Sequence, residues 1–159
     1  MDWISELQDL GLVILAGLLG AVLGFEREAS DKPAGLRTHV FVCAGSTLLI
    51  LLGEAVVSTF ESHDAGMVRA DPTRVIQAIV VGISFLGAGT IIHHGTHRVE
   101  GLTTAASIFL TAGIGIAVAA ERLVVAGGTT LFALLVLTLV RRVEYRFGEP
   151  SENSGDQGD

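Results

Sequence analysis

The stretch Gly101–Val140, GLTTAASIFLTAGIGIAVAAERLVVAGGTTLFALLVLTLV, holds only two charged residues, Glu121 and Arg122. A helix that crosses the hydrocarbon core of a bilayer needs about 20 apolar residues, within a range of about 17–25. Residues 101–120 and 123–140 each meet that requirement. Glu121 and Arg122 stand between them, where a tight turn would join two antiparallel spans. The same pattern continues toward the N-terminus. Val75–Ile92 lies between Arg74 and His93, Val40–Phe60 is interrupted once by Glu54, and the slightly short run Leu10–Phe25 lies between Asp9 and Glu26. The expected fold is all-α, a polytopic transmembrane helical bundle of five spans over residues 1–147. Residues 148–159 are rich in Ser, Gly, Asn and acids and read as a disordered acidic tail, because they offer nothing apolar to bury.

Composition agrees. Of 159 residues, 50% are hydrophobic and 17% charged, where a soluble domain carries about 25% charged residues; the mean hydropathy is +0.59. Long uncharged runs alternate with short charged clusters, so the lipid bilayer is the expected surroundings. The net charge of −7 and the lack of a basic stripe exclude nucleic acid as a partner. Cys43, the single cysteine, lies in an apolar run and reads as a small buried hydrophobe. The acidic N-terminus, with no small-residue cleavage site after the first run, implies a retained helix rather than a signal peptide.

Orientation follows the basic residues. Arg27, Lys32 and Arg37 fall in the first loop, Arg98 in the third, and Arg141, Arg142 and Arg146 after the last span, seven on one side. Arg69, Arg74 and Arg122 make three on the other. The chain is expected to run N-terminus out, C-terminus in.

Unusual residues within this frame mark candidate sites. Ala16, Gly20 and Gly24 repeat every four residues; Gly20-x-x-x-Gly24 allows close helix approach, within the chain or as a homodimer seam. In the third span, Gly82-Ile-Ser-Phe-Leu-Gly87-Ala-Gly89 permits tight packing or a local break. In the fourth, Thr103, Ser107, Thr111 and Gly115 recur every four residues beside Thr104, a stripe that lines a polar path or bonds between helices. Glu54 and Gln77 are polar groups within spans, and ionisable groups there are functional candidates; Glu54 near the outer interface would simply reach water. Asp71 before Pro72 suits a helix cap. His93 and His97 share helical spacing, but a metal site needs three or four convergent ligands and none is assigned. No nucleophile–base arrangement, phosphate loop or cofactor motif occurs, so no enzyme and no cofactor is expected.

The stretches Gly24-Phe-Glu26-Arg27-Glu28, Lys32-Pro-Ala-Gly-Leu-Arg37-Thr-His39, Asp71-Pro-Thr-Arg74, Gly82–Gly89 and Gly101-Leu-Thr-Thr-Ala-Ala106 together resemble the MgtC/SapB membrane family in order and spacing. The resemblance covers about Leu10–Val140. It implies an inner-membrane protein linked to magnesium limitation, with Mg²⁺ as ligand or substrate, or else a regulator that binds another membrane complex such as an ATPase. Many members add a cytoplasmic ACT-like domain, which this sequence is expected to lack. It departs from the family at Glu100, often basic there, and at Phe109, often Trp. Within the first loop, Arg27, Lys32 and Arg37 either set topology and meet anionic lipid headgroups, or Arg37 pairs with Glu26 and fixes the Pro33–Gly35 turn; the second is expected, so that Arg37→Lys would lose function while preserving insertion.

Overall fold

The structure, a computed structural model, describes residues 3–63, 71, 73–94 and 98–147. Five helices follow in order: α1 Trp3–Ala29, α2 Leu36–His63, α3 Thr73–Ala88, α4 Leu102–Ala119 and α5 Leu123–Phe147. The chain is thus an all-α bundle, with one addition. The segment expected to be a plain loop between the third and fourth spans contains a short antiparallel hairpin, β1 Ile92–His94 with β2 Arg98–Glu100, pairing Ile92 with Glu100 and His94 with Arg98.

Helix bounds differ from the expected spans for physical reasons. Helix α1 starts seven residues before Leu10. Glu6 lies in its first turn, where a negative charge suits the helix dipole. Helix α3 stops at Ala88 rather than continuing to Ile92. The amides of Thr90 and Ile91 and the Thr90 hydroxyl turn back onto the carbonyls of Gly87 and Ala88, closing the helix end. Four helices, α1, α2, α4 and α5, are long and apolar enough to cross a membrane. At 16 residues, α3 is about 24 Å long and falls short of a hydrocarbon core of about 30 Å.

Helix α4 is the centre and packs against each of the other four helices. Half of its apolar stretch is buried inside the protein, against 17–28% for the other three long helices. Small residues permit this. A Cβ at Gly115 would strike the Cys43 carbonyl of α2, and the Thr47 hydroxyl of α2 donates to the Gly115 carbonyl at 2.8 Å. One apolar cluster joins Leu23, Cys43, Ile114 and Val118; another joins Val42, Ile79, Ile108 and Ala112. The outer faces are apolar as well, with Phe85 84% and Val124 90% exposed. That inside-out distribution fits a lipid solvent, in which only hydrogen-bonded helices are stable without water.

The turns are tightly specified. Gly101 precedes α4 at φ 91, where a Cβ would collide with the Thr90 carbonyl, so only glycine fits. Glu121, at φ 55, forms the left-handed corner between α4 and α5, with the Arg122 amide donating to Ala117 O at 2.8 Å.

Candidate functional site

The last turns of α1 and the first turns of α2 and α4 meet at one end of the bundle. There they enclose Glu26 (9% exposed), Arg27 (4%), His39 (0%), Thr104 and Ser107. Two of these are a carboxylate and a guanidinium, groups that almost never become buried without partners. Arg27 Nη2 donates to Thr104 Oγ1 at 2.8 Å. The Ser30 hydroxyl donates to Glu26 Oε1 at 2.7 Å. Two atoms keep an unmet demand: Glu26 Oε2 and Arg27 Nε are buried without a hydrogen-bond partner among the described residues.

His39 links the helices. Its Nδ1 lies 2.9 Å from the Gly35 carbonyl, which can only accept, so Nδ1 carries a hydrogen. Its Nε2 lies 3.2 Å from Ser107 Oγ, and that hydroxyl is also 2.9 Å from the Thr104 carbonyl. The hydroxyl has one hydrogen to give. With neutral imidazole the hydrogen points to Nε2; with imidazolium it points to Thr104 O.

Glycines bring α1 and α2 close enough to build this corner. A Cβ at Gly20 would lie 2.5 Å from the His39 carbonyl, and one at Gly24 would lie 2.7 Å from Leu36 Cα. The Gly20/Gly24 face is therefore filled by the chain's own α2, so of the two expected uses the close approach is the one within the chain.

The Pro33–Gly35 turn is held differently from expectation. Glu28 Oε2 accepts from the Leu36 amide at 2.8 Å and so caps the start of α2. Arg37 is exposed and forms no pair with Glu26 among the described residues, and the buried cation beside that acid is Arg27. Lys32 is exposed too. Sequence reasoning missed Glu28, because a cap eight residues away across a loop leaves no local motif.

The polar stripe of α4 is real but shifted by one residue at its start. Thr104, Ser107, Thr111 and Gly115 are buried, whereas Thr103 is exposed. Thr111 donates to the Ser107 carbonyl at 2.7 Å. In α3, Gly87 packs against Ala105 of α4, and Gly89 lies in the turn after the helix, so neither breaks it midway. Glu54 is exposed beside Gly53, which packs against Val75 in the first turn of α3. That places Glu54 level with the polar start of α3, within reach of an interface. Gln77 is exposed one turn into α3.

Asp71 caps α3: its Oδ1 accepts from the Thr73 amide at 3.0 Å and the Thr73 hydroxyl at 2.6 Å. Those two bonds hold its carboxyl below the usual carboxylate range. Pro72 and His97 lie outside the described residues, as do residues 148–159. His93 and His94 are on a strand, so the helical spacing expected for His93 and His97 does not apply. Among the described residues, no three His, Cys, Asp or Glu side chains gather as a metal site.

The sequence model of the MgtC family matches residues 13–146. The chain belongs to the MgtC family. The MgtC-family region therefore includes all five residues of the buried cluster. This MgtC-family chain is 40% identical over 129 residues to protein MgtC of Brucella abortus, covering 80% of this chain and 50% of that one. It is 35% identical over 134 residues to YhiD of Escherichia coli K12, provisionally named a magnesium transporter, covering 84% and 61%. It is 31% identical over 148 residues to protein SapB of Bacillus subtilis, covering 93% and 63%. The chain spans between half and two-thirds of the length of these relatives. No solved structure matches it.

Proposed function

We propose that the chain serves magnesium homeostasis in the cell (inner or plasma) membrane, handling Mg²⁺ as a transported ion. The name of YhiD supports this reading. The observation that carries it is the buried Glu26 carboxylate, whose Oε2 has no hydrogen-bond partner among the described residues. Ionisable groups inside a membrane protein's helical bundle mark ion pathways and relays. Mg²⁺ keeps several waters and is bound through one or two carboxylates, so a single acid can serve it. Glu26 is then the ion-facing acid, with Thr104, Ser107 and Thr111 as the polar face behind it. In liposomes loaded with a Mg²⁺-sensitive dye, the protein should raise Mg²⁺ entry above empty vesicles under an imposed gradient. Glu26→Gln should abolish the rise. Entry equal to that of empty vesicles would end the transport reading.

Arg27 favours a second reading. Its positive charge lies in the same buried cluster and opposes a divalent cation beside Glu26. On this account the chain is a non-transporting regulator, and the cluster latches α1 to α4 while an outer face packs on another membrane complex such as an ATPase. Crosslinking in native membranes should then capture one specific heterologous partner; capture of self-contacts alone counts against it. Both readings assign the chain no catalytic role. Both keep five spans with the N-terminus outside, and a homodimer formed through a face other than Gly20/Gly24.

A further inference from the structure

A groove of about 410 Å³ lies between α2 and α3, walled by Phe41, Leu49, Val75 and Ile79 and floored by Gly45 and Gly82. Its volume falls within the range of about 300–1,000 Å³ usual for ligand pockets. Its lining is almost wholly apolar, and the Ser46 hydroxyl there is already spent on the Val42 carbonyl at 2.8 Å. The floor is open: no atom lies within 4 Å of where a Cβ at Gly45 or Gly82 would stand. Phe41, at the end nearest the start of α2, is 74% exposed.

One end of this groove is charged. Arg37 precedes Phe41 by four residues, so it stands one turn beyond the apolar wall on the same face of α2. It is exposed, and it forms no hydrogen bond or ion pair among the described residues. Lys32, also exposed, lies in the loop just before. Of the acids in that loop, Glu26 is buried, Glu28 is engaged by the Leu36 amide, and Asp31 is exposed.

We propose that this groove holds an acyl chain of an anionic membrane phospholipid, with the headgroup phosphate at Arg37. Length argues for a lipid. From Arg37 to Leu49 is about 18 Å along the helix, and one leaflet supplies about half of a hydrocarbon core of about 30 Å. The apolar lining on α2, Phe41 to Leu49, thus begins one turn below Arg37 and ends near the bilayer centre, as an acyl chain does below its headgroup. Charge argues for an anionic one, because a guanidinium grips phosphate oxygens in pairs. A second copy of α3 would fill the apolar part but bring no anion to Arg37. The inference is independent of any role in magnesium handling.

The test uses the full chain reconstituted in vesicles of phosphatidylcholine with a minor share of phosphatidylglycerol, released in mild detergent and weighed by native mass spectrometry. The wild type should retain one phosphatidylglycerol, enriched about fivefold over its share in the vesicle, the preference one basic residue near the surface supplies. Arg37→Gln should keep a bound lipid but lose that enrichment. Gly45→Leu with Gly82→Leu, at positions where a Cβ meets no atom within 4 Å, should fill the floor and lose bound phosphatidylcholine and phosphatidylglycerol alike, with helix content by circular dichroism unchanged. Undiminished phosphatidylglycerol on the filled variant overturns the proposal, as does full enrichment on Arg37→Gln. Should the filled variant misfold, the Arg37→Gln measurement decides alone. Efficient disulfide crosslinking of Gly45→Cys between copies would assign the groove to a second chain instead, and likewise overturn it.

Discussion

Arg27 Nη2, on the last turn of α1, donates to the Thr104 hydroxyl on the first turn of α4 at 2.8 Å, across 77 positions of sequence. This bond ties the edge of the first apolar run to the central helix. It also keeps a guanidinium in the interior beside a carboxylate, Glu26, that is itself 9% exposed. Adjacent in sequence and both buried, the two charges share one corner of the bundle, and the low-dielectric surroundings magnify the effect of removing either.

Removing Arg27 should therefore cost more than removing its hydrogen bond. Arg27→Ala leaves Glu26 buried without its positive neighbour, a loss on the order of 3 kcal/mol. Arg27→Lys keeps the charge and should lose less. The double replacement Arg27→Met with Glu26→Met should recover most of the stability, since no charge is then stranded. Unfolding curves of the purified variants in detergent check this. A double variant as unstable as Arg27→Ala would show that the two charges do not compensate each other.

The glycines divide into two classes with opposite tolerance. Gly20→Ala places a methyl group 2.5 Å from the His39 carbonyl and 2.8 Å from Cys43 Cβ, backbone and packed side chain that cannot yield cheaply. Gly113 and Gly128 face open space, and Ala there should stabilise by about 0.5–1 kcal/mol through helix preference alone. Gly20→Ala should lower the monodisperse fraction in size-exclusion chromatography, while Gly113→Ala should not. Equal behaviour of the two variants would contradict the close packing of α1 on α2.

Much of this arrangement was legible in the sequence. Runs free of charge announced the helices, and the Glu121–Arg122 pair announced the sharp corner now formed at Glu121. In the sequence, Glu26, Arg27 and His39 fall in the stretches that resemble the family, and Ser107 and Thr104 in or beside the polar stripe of the fourth span. Their convergence was not legible. A four-residue repeat chose Thr103 for the stripe, yet helix phase is fixed by which side α4 turns to its four neighbours, and that side takes Thr104. Arg37 was matched with Glu26 by charge and turn geometry, but Arg27 follows Glu26 directly and is carried inward by α1 itself. The end of α3 is closed by Thr90 and Ile91 turning back onto Gly87 and Ala88, bonds that leave no periodic signal.

Asp71 gives a prediction in pH. Its folded carboxyl is held below the usual range by the two bonds from Thr73, so the capping contribution is present above the unfolded value of about 3.9. It is lost as pH falls through the lower folded value. At pH 7, Asp71→Asn should melt at a lower temperature than the wild type, and Asp71→Ala lower still. Below about pH 4 the gap between wild type and Asp71→Asn should narrow. A gap that stays constant down to pH 2 would mean that the charge of Asp71 does not contribute.

Topology turns on α3. Among the described residues four helices are long enough to span, which alone would leave both ends of the chain on one side; a fifth crossing by α3 puts them on opposite sides. At about 24 Å, α3 can cross only if the bilayer thins or the flanking residues reach outward, each at a modest cost. Its ends are suited to that. Asp71 and Arg74 mark the first turn, and the β1–β2 hairpin follows the last. The basic residues add a second argument, since seven of ten fall on one side only when α3 crosses. A reporter fused after Arg142 should therefore read as cytoplasmic, and one fused at the N-terminus as external. Both reporters on the same side would make α3 a re-entrant or interfacial helix and reduce the spans to four.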